Sequence, residues 1–201
     1  MESEWGRRLS KVYTSPKSTD YSRSSSLARY ALALHYRPPG GPSLRVLDLG
    51  CGAAGLLNFA QTNSIRIDGY VGVESRKTVV PPEIPNGANY VYFSESLADV
   101  EGTFDLIVAL GLVSYQLSDN PKNDVAAYSK IIRDAMTMLT PFGRIVLTLR
   151  KPNLTRANKP LFITPKIDQF AAEASIEIIH YFLAFPDEYF LVGRLMTDKH
   201  R

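Results

Sequence analysis

Short apolar runs alternate with amphipathic stretches over most of this 201-residue chain. Apolar runs typical of strands cover residues 45–50, 69–74, 88–93, 104–111 and 144–150. Helical spacing of apolar residues predicts helices over residues 27–36, 55–63, 124–139 and 163–175. Strands that alternate with helices favour a parallel sheet covered by helices on both faces.

The last two apolar runs break this alternation. Residues 176–185 and 188–196 are separated only by Pro186 and Asp187. So short a link suits an antiparallel hairpin and excludes a helical crossover. We therefore expect an α/β fold: a three-layer sandwich with a seven-stranded, mostly parallel sheet and an antiparallel C-terminal hairpin strand.

Composition narrows the class of protein. Cys51 is the one cysteine, so no internal disulfide is possible and a reducing compartment is expected. The first residues have no apolar core typical of a signal peptide, and the run LIVALGLV is far shorter than the ~20 residues of a membrane helix. We expect a cytoplasmic protein without a membrane segment.

Residues 50–55 read GCGAAG, the G-x-G-x-x-G pattern between a strand and a helix. Such a loop holds a dinucleotide pyrophosphate at a helix N-terminus, and Glu74, at the end of the second strand, suits the hydroxyls of an adenosine ribose. Asp48 distinguishes between the possible ligands, because its negative charge repels a pyrophosphate and attracts an ammonium group. S-adenosylmethionine (SAM) carries an ammonium and no phosphate, so the pattern favours SAM.

The sequence resembles the class I SAM-dependent methyltransferases over roughly residues 40–196. VLDLGCGAAG, GYVGVE, FDLIVALG and LTPFGRIVL follow one another as that family's motifs do, although Ala54 stands where the family usually has a glycine. The resemblance implies a methyltransferase domain over 41–201 and S-adenosylhomocysteine (SAH) as product, and the charge and helical spacing before it indicate a basic N-terminal arm and helix over 1–40. The cofactor-binding residues it implies are Asp48, Gly50, Cys51, Gly52, Gly55, Glu74, Ser94, Glu95 and Ala109.

The loop after the fourth predicted strand reads Ala109-Leu110-Gly111-Leu112. It lacks the Asn/Asp-Pro-Pro-Tyr of exocyclic-amine methylases and the aspartate of metal-dependent catechol-type enzymes, so we expect no metal. The layout also resembles ribose 2′-O RNA methyltransferases of the FtsJ type. Of their Lys-Asp-Lys-Glu tetrad only Glu188 matches, since the aspartate position falls on Ala109 or Leu110 and the second lysine near Thr148.

Positive charge is concentrated in two segments of a chain whose net charge is only +3. Residues 1–45 hold eight Lys/Arg against three Asp/Glu, and residues 150–166 hold five Lys/Arg and no acid. Basic segments with tyrosines available for stacking suit an RNA or nucleotide partner. The predicted phosphate contacts are Arg23, Arg29, Arg150 and Lys151, and the stacking candidates are Tyr13, Tyr21, Tyr30 and Tyr115.

These observations leave three hypotheses open. The first is methylation of RNA, for example at a cap guanine N7, a nitrogen whose free lone pair needs no deprotonation. The second is an O- or N-methyltransferase of small molecules, and the third is an inactive SAM-binding module. For either enzyme, Tyr115 and Glu188 are the candidate catalytic residues.

Overall fold

The computed structural model describes residues 24–39, 44–74, 91–94, 96–112, 121–150, 155–156, 159–160, 166–185 and 188–196. Its helices are α1 (Ser24–His35), α2 (Gly55–Thr62), α3 (Pro121–Met136) and α4 (Ile167–Glu173), with a 3-10 turn at Leu97–Asp99. The strands are β1 (Arg45–Leu49), β2 (Gly69–Val73), β3 (Val91–Ser94), β4 (Phe104–Ala109), β5 (Leu139–Arg150), β6 (Thr155–Arg156), β7 (Lys159–Pro160), β8 (Ile176–Phe185) and β9 (Glu188–Leu195). Among these residues no helix is long and apolar enough to cross a membrane.

The main sheet has the strand order β3-β2-β1-β4-β5-β9-β8. Strands β1 to β5 pair in parallel, whereas β9 runs antiparallel to β5 and to β8. The expected α/β fold with a mostly parallel sheet and an antiparallel C-terminal hairpin is confirmed. Because the chain order reverses at β1 and β4, the loops after these strands diverge and leave a crevice at the carboxyl edge of the sheet.

Helices cover both faces of the sheet. Tyr30, Ala33 and Leu34 of α1, at helical spacing, pack with α2 and the β1, β4 and β5 side chains of one face. On the opposite face α3 and α4 bury apolar residues such as Tyr128, Ile132 and Phe170. Helix α1 therefore shares a core with the sheet, although the sequence grouped it with the N-terminal arm.

The junction of α3 and β5 differs from the sequence prediction. The sequence predicts a helix over residues 124–139 and a strand that begins at Arg144, with a turn at residues 140–143 between them. The strand instead begins at Leu139, which is buried and pairs with Phe104, and the register shifts between there and the pair Leu106–Arg144. Because Leu139 is buried, the strand begins there and not at Arg144. The residues between these two positions form a bulge in which Phe142 is exposed.

Candidate functional site

The glycine loop joins β1 to α2 and is tied to the end of β2 by backbone hydrogen bonds. The N–H groups of Gly50 and Cys51 both donate to the carbonyl oxygen of Val73, over 2.8 and 3.2 Å. Gly50 and Gly52 have φ values of +73° and +55°, which favour glycine. Cys51 is buried and is a small packing residue of the loop. The loop therefore has the sharp turn that the sequence pattern predicts.

Ala54 adopts a left-handed conformation, with φ 54° and ψ 42°, directly before α2. This is the position at which the sequence departs from the resembled family, where a glycine is usual. An alanine there is strained by its Cβ, a cost of roughly 1–2 kcal/mol. At Ala54 the loop therefore keeps a backbone conformation that favours glycine.

Asp48 lies on β1 beneath the glycine loop and is almost fully buried. Its Oδ2 accepts a hydrogen bond of 2.7 Å from the hydroxyl of Tyr70 on β2. Burial raises the pKa of Asp48 to about 7, the Tyr70 hydrogen bond opposes the rise, and the Glu74 carboxylate adds to it. A cation placed beside this carboxylate would favour its ionised form, as an ammonium group does.

Glu74 follows β2 and faces the same loop. Its Oε2 accepts a hydrogen bond of 3.1 Å from the N–H of Gly52, and its own N–H donates to the carbonyl of Ser94 over 2.9 Å. The Ser94 hydroxyl donates to the carbonyl of Ser96, so this loop is folded on itself. The structure therefore brings Asp48, Glu74, Ser94 and the glycine loop together at one edge of the sheet.

The loop after β4 borders the crevice next to the glycine loop. Ala109 is the last residue of β4 and is fully buried. The N–H of Gly111 donates to the Thr148 hydroxyl on β5 over 2.7 Å, and Leu112 lies against Gly50. Thr148, near which the tetrad's second lysine would fall, is fully buried and holds the loop after β4.

Glu188 begins β9 and pairs in register with Arg150, the last residue of β5. Its carboxylate is almost fully buried, and its Oε2 accepts a hydrogen bond of 2.5 Å from the Nε of Arg29 on α1. The guanidinium of Arg29 also lies 5.4 Å from the ring centre of Phe185, a cation–π distance. A predicted catalytic residue and a predicted phosphate contact are therefore each other's partners.

Several predicted residues cannot be placed. Arg23, Glu95, Tyr115 and Lys151 lie outside the described residues, and for Arg150 only the backbone is described. Tyr30, a stacking candidate, is buried against Phe59 and Gly55. Stacking of a base on Tyr30 is therefore wrong, because the buried ring offers no exposed face.

Tyr70 and Thr148 were not identified from the sequence. Each is fully buried in a strand. The Tyr70 hydroxyl holds Asp48, and the Thr148 hydroxyl holds the loop after β4. A buried hydroxyl next to a site residue leaves no periodic signal, because tyrosine and threonine are ordinary strand residues. Among the described residues no group of three or more His, Cys, Asp and Glu is arranged to hold a metal ion.

No family model matches the sequence, and no curated protein matches it either. Solved structures do match. The CcbJ methyltransferase from Streptomyces caelestis has a TM-score of 0.67 at 16% identity, over 98% of this chain and 100% of that one. The 1,6-didemethyltoxoflavin-N1-methyltransferase of Burkholderia thailandensis, solved with bound 1,6-didemethyltoxoflavin and SAH, has a TM-score of 0.65 at 16% identity, over 95% of this chain and 88% of that one.

A third match is a putative methyltransferase in complex with the Haloferax volcanii Trm112 activator, with a TM-score of 0.71 at 12% identity, over 98% of this chain and 100% of that one. The chain has the class I SAM-dependent methyltransferase fold. At these identities the likeness concerns the fold, and the chemistry rests on the residues of this chain.

Proposed function

We propose that this chain is a SAM-dependent methyltransferase that binds SAM at the carboxyl ends of β1 and β2. The observation that carries the proposal is the position of two carboxylates on either side of one glycine loop. Asp48 lies beneath the loop and Glu74 accepts its Gly52 N–H. An ammonium suits Asp48 and a ribose diol suits Glu74, whereas two carboxylates at a pyrophosphate would repel it.

Methyl transfer from a sulfonium is an in-line displacement, so much of the catalysis consists in holding donor and acceptor in line. In this proposal the glycine loop and Glu74 fix the adenosine, Asp48 fixes the methionine ammonium, and the β4 loop held by Thr148 borders the methyl group. Glu188, held by Arg29, orients the acceptor. Tyr115 remains a candidate for contact with the acceptor.

We infer that the acceptor is a small organic molecule. Arg29, one of the four predicted phosphate contacts, is already paired with Glu188, and its side chain is only 19% exposed. Because Glu188 neutralises the Arg29 guanidinium, this arginine is a poor contact for a polyanion. The Burkholderia thailandensis neighbour, solved with 1,6-didemethyltoxoflavin, is an example of this fold acting on such an acceptor.

RNA is the second candidate acceptor, favoured by the basic segment 150–166 next to the end of β5. Methylation at cap guanine N7 stays a prediction from the sequence, as does the inactive SAM-binding module. The domain boundary near residue 40 also stays a prediction.

One set of assays tests these proposals. Calorimetry should detect binding of SAM and SAH and no binding of NADH, and tight NADH binding would contradict the cofactor. Radiolabelled SAM is then offered with a metabolite pool, with capped RNA and with uncapped RNA at low salt. We expect label in small molecules, whereas label in RNA alone would favour the second candidate and SAM binding without any transfer would favour the inactive module.

A further inference from the structure

Two consecutive residues of α1 contact the two sides of the crevice. Arg29 pairs with Glu188 at the start of β9, and Tyr30 packs against Gly55 at the start of α2. The same helix therefore touches both the candidate cofactor loop and the candidate acceptor side, and its 12 residues form one continuous element.

The contact between Tyr30 and the glycine loop is close. A Cβ at position 55 would lie 2.3 Å from the Tyr30 hydroxyl oxygen and 2.8 Å from the ring carbon that bears it. Position 55 therefore needs a glycine because Tyr30 fills the space that a side chain would occupy, and not because of its backbone conformation. Movement of the loop at Gly55 would displace Tyr30, which is itself buried.

Tyr30 also lies in the same buried cluster as Tyr70 and Cys51, beneath the loop. Burial is the chief cause that raises the pKa of Tyr70, and the Asp48 carboxylate beside it adds to the rise. Tyr70 in turn donates to Asp48, the residue proposed to hold the SAM ammonium. The hydroxyl of Tyr30 therefore belongs to the buried surroundings of the cofactor site.

The contact of Arg29 with Glu188 fixes the other side of the same helical turn. The Glu188 carboxylate is almost fully buried, so it depends on Arg29 for compensation of its charge. A shift of α1 that moved Arg29 would leave this carboxylate without that partner. The ion pair and the Tyr30 contact are therefore expected to respond together to movement of α1.

We propose that Tyr30 and Arg29 are positioning residues through which α1 couples donor binding at the glycine loop to the arrangement of Glu188. The inference rests on the proposed function, because it assumes that SAM and SAH bind at the loop. Such coupling is reciprocal: an acceptor that orders Glu188 would also strengthen SAM binding.

The test compares two single-atom deletions on α1. Tyr30→Phe removes the hydroxyl at the loop, and Tyr36→Phe is the matched control, because the Tyr36 ring instead packs near His180 and Phe190. SAH affinity is measured by calorimetry, and hydrogen exchange of residues 24–39 and 188–196 is measured with and without SAH. Thermal melting followed by circular dichroism verifies that both variants fold.

In the wild type we expect SAH to slow exchange in α1 and at the start of β9. Tyr30→Phe should lose this protection at β9 and bind SAH about three- to tenfold more weakly, because loss of the hydroxyl leaves a gap between α1 and the loop at Gly55. Tyr36→Phe should match the wild type in both measurements.

Equal SAH affinity in the two variants would overturn the proposal, as would β9 protection that persists in Tyr30→Phe. SAH binding by the wild type without any protection of α1 would overturn the coupling alone. A wild type that binds neither SAM nor SAH would overturn the proposed function itself, so the two failures are distinguishable.

Discussion

The two sides of the crevice are built from different kinds of interaction. The glycine-loop side, residues 48–55 with Glu74, is held mainly by backbone hydrogen bonds to the end of the neighbouring strand. The α1 side, Arg29 with Phe185 and Glu188, is held by a charged pair whose members are 159 positions apart. Removal of one side chain leaves the backbone hydrogen bonds of the loop in place, whereas a buried charge depends on one partner. The α1 side should therefore be the more sensitive to the removal of a single side chain.

The largest expected effect is on stability at the α1 side. Arg29→Gln leaves the buried Glu188 carboxylate without its cation, and breaking a buried pair in this way costs about 3 kcal/mol. Glu188→Gln should cost less, because the Arg29 guanidinium that remains is partly exposed to water. Urea unfolding followed by circular dichroism measures both.

A surface ion pair on the same hairpin supplies the control. Arg194 pairs with Glu177 across β8 and β9, and both side chains are substantially exposed. Arg194→Gln should leave the free energy of unfolding nearly unchanged, because an ion pair at the surface contributes little. Equal losses in Arg29→Gln and Arg194→Gln would show that the buried pair is not the critical contact of the α1 side.

The next effect concerns affinity on the glycine-loop side. Glu74→Ala removes the carboxylate proposed to accept the ribose hydroxyls, which should weaken SAM binding by about 1–3 kcal/mol, or roughly ten- to a hundredfold. Glu101→Ala, at an exposed acid before β4, is the control and should bind as the wild type does. Calorimetry measures both, and unchanged affinity in Glu74→Ala would contradict the assignment of the ribose site.

The buried Asp48 predicts a pH dependence of binding. With a pKa of about 7 it is largely protonated in the free protein below that pH, whereas a bound ammonium favours the carboxylate. SAM binding should therefore release a proton, and affinity should rise by up to about tenfold per pH unit as pH approaches 7 from below. Calorimetry in buffers of different ionisation enthalpy measures the released proton. Asp48→Asn should abolish the dependence, and a flat profile in the wild type would contradict it.

The same raised pKa affects the stability of the ligand-free protein. The folded state holds the Asp48 proton more tightly than the unfolded chain, in which the carboxyl has its ordinary pKa of 3.8. The contribution of this group to stability is therefore fully present at low pH and is lost as pH rises through the window from 3.8 to about 7. In Asp48→Asn the loss within that window should disappear.

The two sides also differ in how far the sequence predicted them. The glycine loop, Asp48 and Glu74 are separated by short stretches of chain, and the strand–loop–helix pattern places them correctly at the ends of β1 and β2. Local sequence suffices there because parallel strands bring their carboxyl ends to one edge. The pairing of Arg29 with Glu188 depends on the packing of α1 over the sheet, which no local pattern specifies.

Charge patterning was the less reliable guide for the same reason. Arg29 was counted with other basic residues as a phosphate contact, although its position in space beside a buried acid gives it a structural partner. The early start of β5 is a similar case, since the burial of Leu139 outweighs the turn-forming residues that follow it. In both, tertiary contacts decide between alternatives that the sequence leaves equal.

The smallest expected effect tests whether backbone geometry alone holds the glycine-loop side. Ala54→Gly removes the strain of a left-handed alanine, which is about 1–2 kcal/mol. It also makes the unfolded chain more flexible and removes a buried methyl group, and these two losses together cost a similar amount. Ala53→Gly is the matched control. Ala53 is not one of the described residues with a positive φ, so a glycine there relieves no backbone strain. We expect nearly unchanged stability in Ala54→Gly and a loss of about 0.5–1 kcal/mol in Ala53→Gly, by urea unfolding. Equal losses in the two variants would show that the left-handed backbone at residue 54 carries no strain.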